Sequence, residues 1–224
     1  FMAIVFYLSD IVNLAVLSLI CVGALIPFFM HNVFGKTSKM FIGDGGALMI
    51  GTLITILCFS VLKIKSFCFT ALLVKYNVGL IPMMLSFLSV CIFDTLRVMF
   101  YRISRHKSPF LADKTHMHHL FLSLGYSHYA TTMSLLTLNM INVLSWLISW
   151  LLGASVEIQL YVVVFFSVFN TFGIYAIVRH QQKSNGAVYR LLSFIGAHSN
   201  LERTAFWRFM QKLVDDNLFE EGKI

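Results

Sequence analysis

The run "IVNLAVLSLICVGALIPFFM", residues 11–30, carries no charged side chain. A helix needs about 20 consecutive apolar residues to cross the hydrocarbon core of a bilayer, and this run has that length. Four further runs read the same way: Ala47–Leu62, Val78–Tyr101, Ala130–Leu152 and Leu160–Val178. Phe1–Leu8 reads as the end of an earlier helix, with Ser9 and Asp10 as its turn. Backbone groups in lipid must be satisfied within their own segment, so each run is expected to be helical. The fold class that follows is all-α, a polytopic transmembrane bundle of five full spanning helices plus the end of a sixth.

Composition supports this. Hydrophobic residues make up 58% of the 224 and charged residues only 12%, where a soluble domain carries roughly 25% charged. The formal net charge of +7 suits anionic headgroups or a phosphorylated ligand. Nucleic acid is excluded as a partner, because no basic stripe alternates with aromatics. Cys21, Cys58, Cys68 and Cys91 form no C-x-x-C pair and read as small buried hydrophobes. The chain opens in mid-hydrophobic run at Phe1, so the front of a longer protein is expected to precede it.

Charge asymmetry predicts the orientation. Lys36 and Lys39 lie in the loop His31–Gly46, and Arg102, Arg105, Lys107 and Lys114 in the loop Arg102–Tyr129. Both loops, with the tail from Arg179, are placed in the cytoplasm, although Lys63, Lys65 and Lys75 lie on the other side. Residues 1–178 are read as the transmembrane domain and 179–224 as a basic, amphipathic cytoplasmic tail. In the tail, Ser199 and Glu202 fit a capping box. Leu201, Ala205, Phe206, Phe209, Leu213 and Val214 then repeat at helical spacing, opposite Arg203, Arg208 and Lys212. This helix can lie on the membrane surface or pack on the cytoplasmic loops.

Three stretches can carry chemistry. In "FIGDGGALMIG", residues 41–51, Asp44 sits among glycines just before a helix. Glycines let a ligand approach the backbone, and a carboxylate there can hold Mg²⁺ against diphosphate oxygens. The alternative is an ordinary N-cap. The second stretch is "ADKTHMHHL", residues 112–120. His116, His118 and His119, with Arg102, Arg105, Lys107 and Lys114, form a cationic basket for a phosphorylated ligand. A zinc site or a solvated loop are the other readings, and H-x-H-H lacks the i, i+4 spacing of common zinc hydrolases. Third, Asp94 is an intramembrane carboxylate, functional by default unless it merely pairs with Arg97 at i+3. Asp215-Asp216 reads as a solvated face, and no nucleophilic triad pattern is present.

Taken together, these motifs resemble the polyprenyl-phosphate N-acetylhexosamine-1-phosphate transferases, a glycosyltransferase family of the bacterial inner membrane. The resemblance is carried by Asn32, "FIGDGG", and "FDTLRVMFYRISRHKSPFLADKTHMHHLFLSLGYSH", residues 93–128. The H-x-H-H form looks like the branch using UDP-N-acetylglucosamine and undecaprenyl phosphate, in cell-wall, lipopolysaccharide or O-antigen synthesis. The resemblance implies Mg²⁺ (or Mn²⁺) at Asp44, with Asp44 as the catalytic carboxylate. It implies substrate binding by Asn32, Arg102, His116, His118 and His119, with Asp94 and Lys107 as further candidates. Its partners would be a UDP-N-acetylhexosamine and a polyprenyl phosphate, with UMP released. The chain departs from the pattern where Ala47 replaces a common serine and Cys91 a common proline. The family's paired-aspartate and later Asn/Asp motifs precede the region represented here, so this chain alone is expected to be inactive. A non-catalytic membrane remnant or partner subunit is the alternative, and a small transporter a weaker one. The transferase reading expects Asp44 to come near His118 or His119 at a cytoplasmic cavity.

Overall fold

A computed structural model describes residues 1–36, 40, 42–64, 73–110, 115–198 and 205–216. Lys39, Phe41, Lys65, Cys68, Lys114, Leu201, Arg203 and the Ser199–Glu202 capping pair lie outside the described residues. Every regular element among the described residues is a helix. Five are long and apolar enough to cross a membrane: Val12–Phe34, Gly43–Leu62, Leu80–Ile103, His128–Leu151 and Val156–Gln182. The chain divides into two compact units, Phe1–Tyr76 with Glu202–Ile224, and Asn77–Leu201.

The first unit holds α1 (Met2–Leu8), α2 (Val12–Phe34), α3 (Gly43–Leu62) and α10 (Ala205–Asp216). Asp10 takes a left-handed conformation between α1 and α2, and the Ile11 N–H bonds back to the Phe6 carbonyl. That is the αL closure by which helices often stop. Leu19, Ile20, Leu48 and Met49 face outward, as a lipid-bathed surface requires.

Two expectations are corrected here. Helix α2 runs past Met30, so Asn32 stands in its last turn and not in a loop. Helix α3 begins at Gly43, so Asp44 lies within its first turn, and the N-cap position is Ile42. A membrane helix can continue beyond the hydrocarbon, where polar and small residues cost little, so hydropathy alone stops it early. In α10 the buried stripe is Trp207 and Val214, while Phe206, Phe209 and Leu213 remain exposed. Trp207 meets Phe34 at 4.8 Å between ring centres, and Asp215 accepts from the Lys36 N–H at 3.2 Å. The large indole, left out of the sequence-based apolar face, sets the rotation of the helix.

The second unit is built on α4 (Leu80–Ile103), α6 (His128–Leu151) and a third span. That span comprises α7 (Val156–Val168), a π-helical turn (Phe169–Gly173) and α8 (Ile174–Ser184). The composition-based boundary at Val178 falls inside α8. Two shorter helices join them, α5 (Met117–Ser123) and α9 (Ala187–His198), neither foreseen in the sequence. Small polar residues line the seams: Ser86, Ser89, Ser145, Ser167 and Thr171 are buried and bond to carbonyls of their own helices. Such side chains allow close helix approach in lipid. A ladder of amides crosses the bundle. Asn142 donates to the Ser89 hydroxyl at 2.7 Å, and Asn170 of the π turn donates to Asn142 at 3.0 Å. At one end of the bundle, buried Gln159 ties the start of α4 to α6 and α7. The other end carries the histidines.

Cys21 and Cys58 are half-buried and Cys91 is exposed, all three with free thiols. Cys91 is thus not a core residue but stands on the outer side of α4, where an apolar thiol suits lipid.

Candidate functional site

Asp94 organises the histidine end. It lies in the second half of α4 and is 9% exposed. The i+3 partner read from the sequence is present: Arg97 Nη2 donates to Asp94 Oδ1 at 2.7 Å and Nε at 3.2 Å. The carboxylate does more than this local pairing. The Met117 N–H, which opens α5, donates to Oδ2 at 3.2 Å. His116 Nδ1 lies 3.0 Å from the same oxygen. A carboxylate only accepts, so Nδ1 carries the proton and Nε2 is turned to the other side of the ring. Arg97 Nη2 also donates to the Thr115 carbonyl at 2.6 Å, and its guanidinium lies 3.8 Å from the centre of the Tyr175 ring. The start of α5 is therefore pinned by one ion pair to α4.

The three imidazoles stand together on this turn. His116 and His118 are stacked with ring centres 5.9 Å apart, and His118 and His119 are 4.0 Å apart. Below them Met117, Leu120 and Phe121 are buried with Leu124 and Tyr126. Helix α5 ends at Ser123, and just beyond it Gly125, with φ of +88°, permits the Tyr126 N–H to close on the Phe121 carbonyl.

His118 is exposed as a residue, yet partial burial of its ring, then His119 and His116, lowers its pKa below the ordinary imidazole value. It is therefore neutral at pH 7 and can accept as well as donate. The unfolded chain takes up its proton near pH 6.5, the folded chain only lower. Between the two, the unfolded state binds more protons, so acidification lowers stability. Thermal unfolding from pH 7.5 to pH 5 should show an acid decline that His118→Gln reduces. An unchanged decline in the variant would contradict this account.

The other predicted residues are placed as follows. Arg102 is buried, and its guanidinium donates to the Pro109 carbonyl, bracing the loop after α4. That loop turns at His106, in left-handed conformation, with the Lys107 N–H closing on the Arg102 carbonyl. Lys107 is exposed on it. Asn32 is half-buried at the end of α2, and Asp44 is exposed in the first turn of α3, where the helix dipole favours its charge. Asp44 and Asn32 belong to the first unit, and the Asp94–His116 cluster to the second.

Among the described residues, no three His, Cys, Asp or Glu side chains stand together as a metal-binding group. Asp44 offers one hard oxygen donor. This fits a hydrated Mg²⁺ that takes most of its ligands from water and phosphate oxygens.

Sequence reasoning missed Tyr175, Arg179 and Gln182, which α8 brings beside Thr115 and Arg105. The i, i+4 spacing of Tyr175 and Arg179 continued the helical pattern and was the available signal.

Comparison with known proteins gives a consistent relationship. Residues 1–63 match the family described as Glycosyl transferase family 4. The undecaprenyl-phosphate alpha-N-acetylglucosaminyl 1-phosphate transferase of Pasteurella multocida is 32% identical over 117 residues, covering 50% of this chain and 30% of that protein. The Escherichia coli K12 protein of the same name is 26% identical over 117 residues, covering 51% and 29%. The decaprenyl-phosphate N-acetylglucosaminephosphotransferase of Mycolicibacterium smegmatis is 30% identical over 115 residues, covering 51% and 28%. The matched part spans under a third of the length of each relative. No solved structure matches the chain. Over the residues so matched, this multi-helix membrane chain is similar to the family 4 glycosyl transferases.

Proposed function

We propose that the protein containing this chain transfers N-acetylglucosamine-1-phosphate, or a related N-acetylhexosamine-1-phosphate, from a UDP-sugar to a polyprenyl phosphate. A phosphate oxygen of the lipid attacks the β-phosphorus of the UDP-sugar. The bond from that phosphorus to the bridging oxygen breaks, UMP leaves with that oxygen, and a lipid-linked diphosphate sugar forms. The observation that carries the reading is the imidazole turn held by Asp94, set in a chain whose relatives bear that transferase name. His118 and His119 present hydrogen-bonding groups for phosphate oxygens, and His116 is kept in one tautomer by Asp94. Asp44 would hold Mg²⁺, which neutralises diphosphate charge when bound. The remaining task of the protein is positioning and charge stabilisation. The reading places the histidine end in the cytoplasm of a bacterium, where UDP-sugars are made.

The test is UMP release from UDP-N-acetylglucosamine and undecaprenyl phosphate, in membranes from cells expressing the gene that encodes this chain. Asp44→Asn is expected to lower turnover on the order of 100-fold or more. Wild-type rates in the variant would defeat the role given to Asp44. A non-catalytic membrane subunit is the second reading. That reading expects no Mg²⁺-dependent UMP release from the wild type.

A further inference from the structure

Beside the imidazole turn lies a separate cleft of about 420 Å³, within the roughly 300–1,000 Å³ usual for ligand pockets. Helix α4 and the residues after it supply Tyr101 and Arg105, helix α8 supplies Tyr175, Arg179 and Gln182, and Thr115 closes the side next to His116. Each arginine is steadied by an aromatic ring. The Arg105 guanidinium lies 4.4 Å from the centre of the Tyr101 ring. Arg179 Nε donates to the Tyr175 hydroxyl at 3.4 Å and its Nη1 to Gln182 Oε1 at 3.0 Å.

Among the described residues the charge around this cleft is unbalanced. Among the described residues of this unit the carboxylates are Asp94 and Glu157. Asp94 is committed to Arg97 and His116, and Glu157 belongs to the first turn of α7, at the opposite end of the bundle. Neither Arg105 nor Arg179 forms an ion pair among the described residues. Two guanidinium groups held over aromatic rings, facing one cleft with no ion pair among the described residues, suit a tetrahedral anion. Their planar forks match phosphate oxygens, and ring contact limits the freedom lost on binding.

We propose that this cleft is a second phosphate subsite, distinct from the imidazole turn, in which Arg105 and Arg179 clamp a phosphoryl group of a substrate. The ligand's identity rests on the transferase reading, and it is either the nucleotide diphosphate or the phosphate of the polyprenyl lipid. The chemistry of recognition is the same for both.

Binding of three probes to the purified full chain in detergent would be measured by calorimetry: inorganic pyrophosphate, UDP and farnesyl phosphate. At least one should bind. Arg105→Gln and Arg179→Gln should each weaken it about 10-fold, as expected for losing a hydrogen bond to a charged group. Arg105→Lys should lose less, and the double variant more than either single one. Both arginines are exposed, so the helical circular dichroism should be unchanged. Loss for UDP alone assigns the cleft to the nucleotide, and loss for farnesyl phosphate alone assigns it to the lipid phosphate. Either supports the proposal. It is overturned if the wild type binds no probe, or if the double variant binds within twofold of the wild type. Loss on His118→Ala without loss on the arginine pair would also overturn it. If no UMP release is seen but arginine-dependent pyrophosphate binding persists, the transferase reading fails and the phosphate subsite stands.

Discussion

Replacing Asp94 with alanine is expected to destabilise the protein by about 3–5 kcal/mol, the cost of stranding a buried charge. Arg97 is only 4% exposed. Without the carboxylate it retains the Thr115 carbonyl and the Tyr175 ring, neither of which carries a full negative charge. The Met117 N–H and His116 Nδ1 lose their acceptor in the same stroke. The start of α5 should therefore loosen, and with it the imidazole turn. Thermal unfolding in detergent would read the loss. Asp94→Ala combined with Arg97→Met separates charge from packing. If the stranded guanidinium is the main cost, the double variant should recover a large part of the stability lost by the single one. Asp94→Asn keeps an acceptor for Met117 and should fall between wild type and alanine. A single alanine variant as stable as the wild type would mean that water reaches the pair, and that Asp94 does not hold the turn.

The contrast between Asp94 and its neighbours shows what the sequence could and could not reveal. The five spans were legible because lipid leaves the backbone one solution, and apolar runs mark it directly. Helix ends were less legible. Asn32 and Asp44 sit among residues that read as loop, yet both stand within helices. The Asp94–Arg97 pair was visible because three residues of helix bring the side chains together. His116 and Met117 join that pair from 22 and 23 residues further along, and no local spacing announces such a meeting. Arg179 was read as the start of a tail, because it ends the apolar run. The structure continues the helix to Ser184 and turns Arg179 toward Arg105. The π turn at Phe169–Gly173, within the last span, has no composition signal at all.

Gln159 is the second residue whose loss should be large, and it lies far from the histidines. It is fully buried in the second turn of α7. Its Oε1 accepts from the Gly79 N–H at 3.1 Å and from the Trp146 indole at 3.2 Å. Its Nε2 donates to the Asn77 carbonyl at 2.8 Å and the Ala154 carbonyl at 2.9 Å. One amide thus closes the backbone just before α4 and just before α7, and fixes an indole of α6. Individual polar contacts between membrane helices average only about 0.6 kcal/mol. Here four meet on one side chain, and removing it leaves the Gly79 N–H and the Asn77 carbonyl without their partner, each costing about 1–3 kcal/mol if water cannot replace it, while the Ala154 carbonyl keeps the Asn77 amide. Gln159→Leu is therefore expected to cost about 2–4 kcal/mol in total, between those limits. Trp146 offers an internal readout, since it lies parallel to Trp150 with ring centres 6.1 Å apart. Near-ultraviolet circular dichroism should lose the signal of that indole pair in the variant, while helix content stays the same. Gln159→Glu should not rescue, because a carboxylate cannot donate to Asn77 and Ala154. If Gln159→Leu unfolds at the wild-type temperature with an unaltered tryptophan signal, this amide does not tie the three spans together, and their register must come from apolar packing and the seam of small residues.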